Sequence, residues 1–106
     1  MTLEEYQQAA RQTAIYTEPV IYPVLGLCSE AGELAGKIKK VIRDNGGEIT
    51  AKQRLDILKE LGDVLWYVAA IASDFDCQLS TVAEWNIDKL NDRAMRDKIQ
   101  GNGDER

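Results

Sequence analysis

Four carboxylates are the residues in this sequence best placed to do chemistry. They form two pairs with helical spacing, Glu30-x-x-Glu33 and Glu60-x-x-Asp63, and a double-glycine turn at 46–47 lies midway between them. Residues three apart share one face of a helix, and an antiparallel hairpin would bring the two pairs to heights within roughly 1.5 Å of each other. Two carboxylates repel by roughly 4 kcal/mol at 4 Å and an effective dielectric near 20, so a hard divalent cation would make this arrangement tolerable. The spacing therefore indicates a site for Mg²⁺, Mn²⁺ or Ca²⁺.

Other kinds of metal site fit the sequence less well. The chain has no histidine, which excludes a di-iron site built from Glu-x-x-His motifs, and Cys28 and Cys77 are too far apart in sequence to suggest a zinc site. The alternative is that each acidic pair lies on a solvated helix face and is neutralised by nearby lysines. Helical angles leave open whether the two acidic stripes converge, and the metal-site hypothesis depends on convergence. Gly32 and Gly62 lie inside the pairs and each cost a helix about 1 kcal/mol relative to alanine, so they predict a close approach of backbone or ligand there.

The elements that must position these acids are predicted to be four helices, which makes the fold all-α. Capping boxes of the T-x-x-E/Q kind begin at Thr2 and Thr50 and start the first and third helices. Pro23 is expected as the first residue of the second helix, and Ser80 or Thr81 as the cap of the fourth. The second and third helices form a central antiparallel hairpin, and each carries an apolar stripe with its acids roughly 100° to 160° away. The expected helices cover about 2–16, 23–43, 50–75 and 80–98, and residues 99–106 form a flexible tail.

A stripe of hydrogen-bond donors lies on the fourth helix. Asn86, Lys89 and Arg93 have the i, i+3, i+7 spacing of one helical face, and Lys and Arg are the usual partners of phosphate. Tyr67, one turn after the second acidic pair, could add its hydroxyl, whereas Trp66 is expected to point away from the acids, toward a second subunit or a base. A solvated helix surface is the alternative for the donor stripe. Combined with a cation at the acids, these donors make a metal-bound polyphosphate a coherent ligand.

The bulk properties limit the classes of partner. The chain has 106 residues, 44% of them hydrophobic and 29% charged, and we expect it to fold as one domain over 1–106. A net charge of −5 and a pI near 4.7 argue against binding to nucleic acid polymers or to a membrane surface. No apolar run approaches the roughly 18 residues of a membrane span, the N-terminus is too polar for a signal peptide, and the separated cysteines are expected to be reduced thiols. We therefore expect a cytoplasmic protein.

Four segments together resemble the MazG-like all-α nucleoside triphosphate pyrophosphohydrolases. Segment 22–34 reads Y-P-x-x-G-L-x-x-E-A-G-E-L, and segment 60–67 reads E-L-G-D-V-L-x-Y, with 26 residues between the two acidic motifs. Segment 86–93, N-x-x-K-L-x-x-R, and segment 101–106, G-x-G-D-x-R, are similar to the C-terminal part of that family's domain. The chain is nearest to the short, single-copy group, because Ser29 stands where MazG proper has an additional Glu.

The resemblance implies an enzyme, a magnesium-dependent hydrolase that cleaves the α–β phosphate bond of nucleoside triphosphates to give a nucleoside monophosphate and pyrophosphate. It implies a role in clearing non-standard or surplus (d)NTPs, and attack by water on the α-phosphorus. The metal, Mg²⁺ with Mn²⁺ as the alternative, would be held by Glu30, Glu33, Glu60 and Asp63, unless Glu33 or Glu30 acts as the base instead. The implied phosphate contacts are Tyr67, Asn86, Lys89, Arg93 and Arg106, the last on a tail that could close over substrate.

The same resemblance implies a homodimer or a homotetramer built as a dimer of dimers, with pockets lined by two subunits. A different class of function remains open beside it. The chain could be a helical oligomerisation or regulatory module that binds nucleotide or metal without turnover, or a plain helical scaffold with no metal dependence.

Overall fold

The computed structural model describes residues 1–96 and 99–105 and confirms the all-α fold, with no strand among those residues. Its four helices are α1 (Leu3–Arg11), α2 (Ile21–Asn45), α3 (Ala51–Asp74) and α4 (Leu79–Met95). In the part of the chain that is described, no helix is both long and apolar enough to cross a bilayer.

Local capping rules account for two of the four helix starts. Thr2 accepts from the Glu5 N–H at 3.1 Å while its own N–H donates to the Glu5 carboxylate at 2.9 Å, and Thr50 forms the same reciprocal pair with Gln53. These bonds satisfy N–H groups that the first turn of a helix leaves without partners. The capping boxes therefore begin α1 and α3 as predicted. α3 ends within its predicted range.

The connection between α1 and α2 differs from the prediction. α1 ends at Arg11 instead of about Tyr16, because the Thr13 hydroxyl and N–H both bond the Ala10 carbonyl, at 2.7 and 3.0 Å, and compete with continued helix. α2 begins at Ile21, so Pro23 is its third residue; proline fits anywhere in the first turn because no helical acceptor is available to its N–H position. At its other end α2 runs two residues beyond the predicted Arg43 and closes on a left-handed Gly46, with φ 61°.

α4 begins at Leu79, earlier than either predicted cap. The Leu79 N–H donates to the Gln7 side-chain oxygen at 2.8 Å, so a residue of α1 caps this helix in place of the predicted local hydroxyl. The Ser80 hydroxyl, one of the two predicted caps, instead bonds the Glu4 carboxylate. α4 ends at Met95, short of the predicted residue 98, which lies outside the described residues.

α2 and α3 form the predicted antiparallel hairpin, and the structure shows which faces of the two helices meet. Among the described residues α2 packs only against α3, while α1 packs on α3 and α4 packs on α1 and α3. The face of α2 that meets α3 must therefore be its buried and half-buried one. On α2 that face includes Pro23, Gly26, Leu27, Glu30, Leu34, Lys37 and Val41, and its counterpart on α3 includes Gln53, Ile57, Glu60, Val64 and Tyr67. We call this contact the hairpin seam; it contains two of the four acids.

Much of the predicted apolar stripe is exposed as a result. Among the described residues, the buried apolar cluster within one chain is small and consists of Ala69, Ala72 and Leu79, with Tyr6 and Val68 packed against it. The chain has a radius of gyration of 16.6 Å, against about 13 Å for a compact domain of this length. Its accessible surface is 7817 Å², roughly 1,900 Å² more than expected for a folded monomer of this mass. The exposed apolar positions on the hairpin, which we call the open stripe, include Ile38, Ile42, Leu58, Leu61 and Leu65.

Candidate metal centre and adjoining cleft

The acidic residues of the two hairpin helices converge. One carboxylate oxygen each from Glu30, Glu60 and Asp63 lies within 4.8 Å of the others. Glu30 and Glu60 belong to the hairpin seam, with Glu60 only 7% exposed, and Asp63 stands at its open edge. Glu33 is exposed and outside this group of three, yet it is close enough to hydrogen-bond the Glu60 side chain. The structure thus settles the question that helical angles left open, in favour of one acidic cluster.

The cluster needs a positive charge or a proton. Hydrogen bonding to Glu33, together with burial and then the hydrogen bond and charge of Glu30, raises the pKa of Glu60 to about 7. Glu30 Oε2 and Glu60 Oε1 are buried and have no hydrogen-bond donor among the described residues. Ionised carboxylates can only accept, so without a bound proton the cluster supplies no donor to these oxygens. Oxygen-only ligands with unsatisfied lone pairs suit a hard divalent cation, and the residues present therefore fit Mg²⁺ or Mn²⁺.

Tyr67 joins the acids through a close contact with α2. Its ring lies against the backbone at Gly26, where an added Cβ would be 2.1 Å from ring atom Cε1. Burial, then the hydrogen bond with Tyr22, raises the pKa of the Tyr67 hydroxyl, and the charges of Glu30 and Asp63 raise it further. The sequence prediction of Tyr67 beside the acids therefore agrees with the structure.

The glycine that permits this approach is not one of those predicted. Among the described residues, a Cβ added at Gly32 or Gly62 would meet no neighbouring element within 4 Å, so the predicted close approach of backbone is not found at either residue. Gly26 was missed, although it lies four residues before Glu30 on the same helical face. The spacing was a usable signal, because a glycine inside the hairpin seam is costly in a helix unless something approaches it.

An open cleft extends from the acids toward the α1–α2 connection. Its acidic end, about 300 Å³, is lined by Thr13, Glu30, Asp63, Trp66 and Tyr67. Its aromatic end, about 370 Å³, shares three of those residues, and is lined by Thr13, Ile15, Tyr16, Thr17, Glu18, Tyr22, Trp66 and Tyr67. The shared residues make the two ends one continuous site.

Trp66 stands at the boundary between the two ends, and the expectation that it points away from the acids is wrong. Its indole N–H donates to the Thr13 hydroxyl at 2.8 Å, which ties α3 to the end of α1. The rotation of α3 that places Glu60 in the hairpin seam also turns Trp66 toward α1. Sequence angles measured from the apolar stripe could not show this, because only part of the stripe belongs to the contact face.

Four aromatic rings line the far end of the cleft. Tyr16 and Tyr22 stack with centroids 5.2 Å apart and planes 17° from parallel. Trp66 meets Tyr67 edge-on at 5.0 Å and Tyr16 at 6.3 Å. A planar, partly apolar ligand ring would find π-faces here, in the same cleft as a cluster suited to a cation.

The donor stripe on α4 does not reach this cleft within one chain. The Lys89 ammonium binds the Asp104 carboxylate at 3.0 Å, and Arg93 is 4% exposed, donating to the carbonyls of Asp104 at 2.7 Å and Gly103 at 3.3 Å. Asn86 is exposed, and none of these three residues of the donor stripe is among the described residues that line either end of the cleft. Gly103 and Asp104 instead contact α4, and the predicted phosphate contact Arg106 is outside the described residues.

Comparison with known proteins points to one family. The profile of the MazG nucleotide pyrophosphohydrolase domain matches residues 23–96, a stretch that contains all four carboxylates and the α4 donor stripe. The chain is 47% identical over 114 aligned residues to the Gene 37 protein of Mycobacterium phage L5, with 100% of each chain covered. No solved structure matches the chain.

Proposed function

Because this chain belongs to the MazG nucleotide pyrophosphohydrolase family, we propose that it hydrolyses the α–β phosphate bond of nucleoside triphosphates to release a nucleoside monophosphate and pyrophosphate. The observation that carries the proposal is the convergence of the Glu30, Glu60 and Asp63 carboxylates at one end of a cleft whose other end is lined by aromatic rings. A triphosphate bound to a cation and a base bound between rings would occupy the two ends together.

The positions of the residues suggest their roles. Glu30, Glu60 and Asp63 would hold Mg²⁺ or Mn²⁺, which when bound would offset the charge of the leaving pyrophosphate and lower the pKa of water. Glu33 lies next to this group without belonging to it, and we assign it the role of base toward the attacking water. Tyr67, whose ring lines both ends, would donate its hydroxyl to a phosphate oxygen.

A second copy of the chain is part of the proposal. A standard interface buries about 800 Å² on each partner, and the excess surface of this chain is roughly twice that. We propose that the open stripe is covered in a homodimer or a dimer of dimers, and that Lys89, Asn86 and Arg93 act at a pocket lined by two subunits. The pairing of Lys89 with Asp104 would then be exchanged for substrate phosphate.

A product assay tests the reaction. Incubation with NTPs and dNTPs plus Mg²⁺ should give pyrophosphate and nucleoside monophosphate in equal amounts, and a panel of non-standard nucleotides would test the proposed clearing role. Glu60→Gln should abolish turnover with the helical content unchanged. Asp56→Asn is the matched control, because Asp56 is an acid on the same helix that pairs with Lys52 at 2.9 Å outside the cleft. Release of orthophosphate alone would contradict the proposed bond cleavage.

The alternative function is a nucleotide- or metal-binding module without turnover. One observation favours it. Within a single chain, no lysine or arginine is among the described residues that line the acidic end of the cleft. It predicts that Mg²⁺ and nucleotide raise the melting temperature of the protein while no product forms.

A further inference from the structure

The last residue of α3 holds the whole α1–α2 connection in place. The Asp74 side chain is 1% exposed, and its carboxylate makes three contacts: with Arg11 Nη2 at 2.9 Å, with the Tyr16 hydroxyl at 2.8 Å and with the Val20 N–H at 2.8 Å. Its partners are the last residue of α1 and two residues from the middle and the end of the connection. Burial alone would raise the pKa of Asp74, but the bonds from Val20, Tyr16 and Arg11 together lower it, so the buried group is held as a carboxylate.

The backbone that Asp74 binds at Val20 is strained. Val20 has φ 66° and ψ −58°, and the Ile21 N–H bonds the Pro19 carbonyl across it at 2.6 Å, which is a γ-turn with positive φ. A β-branched residue rarely adopts this conformation, and such strain persists only where the surrounding structure imposes it. The Val20 N–H bond to a buried carboxylate is the visible restraint.

Tyr16 is restrained just as fully. Its hydroxyl donates to Asp74 and accepts from Arg11 Nη1 at 2.9 Å, so both of its hydrogen-bonding functions are used away from the cleft. Its ring is thereby fixed against Tyr22 and Trp66. Residues 15–18, which line the aromatic end, lie between Arg11 and Val20, and Asp74 binds both of these residues.

We propose that Asp74 is a positioning residue that sets the shape of the aromatic end of the cleft and thereby its affinity for the base and sugar of a nucleotide. The proposal rests on the proposed function in assigning that end to the nucleoside. Asp74 does not line the cleft, and it acts only through Tyr16 and the Val20 turn. A buried carboxylate is a costly way to stabilise a fold, since well-packed apolar side chains commonly do as well or better, so its geometric restraint is the property that explains it.

Binding measurements with Asp74→Asn test the proposal. The variant keeps the shape of the side chain but loses its charge and one of its acceptor oxygens. We expect an α,β-methylene nucleoside triphosphate with Mg²⁺ to bind roughly tenfold more weakly or worse, the factor for losing one hydrogen bond to a charged group. Mn²⁺ alone and inorganic triphosphate with Mg²⁺, which need only the acidic end, should bind as they do to the wild type. In turnover the KM should rise with kcat nearly unchanged.

Two further variants keep the test decisive. Tyr16→Phe retains the stacked ring and removes one bond to Asp74, so it should weaken nucleotide binding by a smaller factor even if Asp74→Asn does not fold. Asp56→Asn, which removes a half-buried acid on the same helix and outside the cleft, should bind every probe as the wild type does.

The possible outcomes separate this proposal from the proposed reaction. Unchanged nucleotide binding in Asp74→Asn and Tyr16→Phe would overturn it, and so would equal weakening of nucleotide and inorganic triphosphate, which would indicate a general loss of structure. A wild type that binds no nucleotide analogue would overturn it as well. If the wild type binds the analogue, loses that affinity in Asp74→Asn and yet releases no pyrophosphate from NTPs, the positioning role stands and the proposed reaction fails.

Discussion

Protons and metal ions should compete for the acidic cluster near neutral pH. Glu60 carries a proton in the metal-free protein below its pKa of about 7, and that proton must leave before its buried oxygen can bind a cation. Lowering the pH from 8 to 6 should therefore weaken metal binding, although no metal ligand with an ordinary carboxyl pKa titrates in that range.

The pKa sets the size of the effect. With a pKa of about 7, roughly nine-tenths of Glu60 is ionised at pH 8 and roughly one-tenth at pH 6, so the apparent affinity for Mn²⁺ should fall about tenfold. Isothermal titration in buffers of different ionisation enthalpy measures both the affinity and the protons released. We expect about 0.9 protons released per ion at pH 6 and about 0.1 at pH 8.

Glu60→Gln is the control, because it removes the titrating group. Its metal binding should be weaker at every pH, with the proton release and the pH dependence between 6 and 8 both lost. Equal Mn²⁺ affinity of the wild type at pH 6 and pH 8, with no protons released, would refute the assignment of the raised pKa to this cluster.

The same pKa predicts the stability of the metal-free protein. The folded-state pKa of Glu60 lies above its ordinary value of 4.5, so the folded state binds this proton more tightly than the unfolded chain does. Its contribution to stability is present below about pH 4.5 and is lost as the pH rises through about 7. Thermal melts of metal-free protein should show that loss relative to Glu60→Gln, and added Mg²⁺ should reverse it.

Four other substitutions test the packing. Gly26→Ala should displace the Tyr67 ring and destabilise the fold by up to about 2 kcal/mol, which is the cost of overpacking less the gain in helix propensity. Gly32→Ala, whose Cβ meets open space, should stabilise the fold by about 0.5–1 kcal/mol. Equal melting temperatures for the two variants would contradict the contact between Gly26 and Tyr67. Thr50→Ala should cost about 1 kcal/mol in urea unfolding by removing the cap of α3, and no change would show that the box is not formed. Leu61→Lys, at a position 49% exposed in one chain, should convert the assembly to monomers in sedimentation, while a wild type that sediments at 11.9 kDa would contradict the proposed covering of the open stripe.

Helix existence and two of the four helix starts can be predicted from local sequence, and the reason is physical. The capping boxes at Thr2 and Thr50 use partners three residues away, so the pattern contains both halves of the interaction. The local sequence at the start of α4 does not contain both partners, because the acceptor for the Leu79 N–H is Gln7, 72 residues earlier in the chain. A start chosen by a tertiary contact cannot be found from the residues beside it.

The candidate site divides in the same way. The matching heights of the acidic pairs can be predicted from the number of residues between each pair and the turn. Their convergence depends on which faces of α2 and α3 meet. The helical angles left that choice open, because much of the apolar stripe from which they were measured is exposed and only part of it faces the partner helix. The spacing of Lys89 and Arg93 likewise shows that they share a face without showing its contacts, which in one chain are Asp104 and its neighbours.

The acidic hairpin seam has a consequence for how this protein can evolve. Glu30 and Glu60 occupy positions in the contact between α2 and α3 that leucine side chains would fill. The buried, repelling carboxylates instead oppose the packing of the two helices. Directed evolution for heat resistance alone, with no demand for turnover, should therefore replace these acids early. The variants that survive such a screen would be sturdier folds with no means of holding a cation.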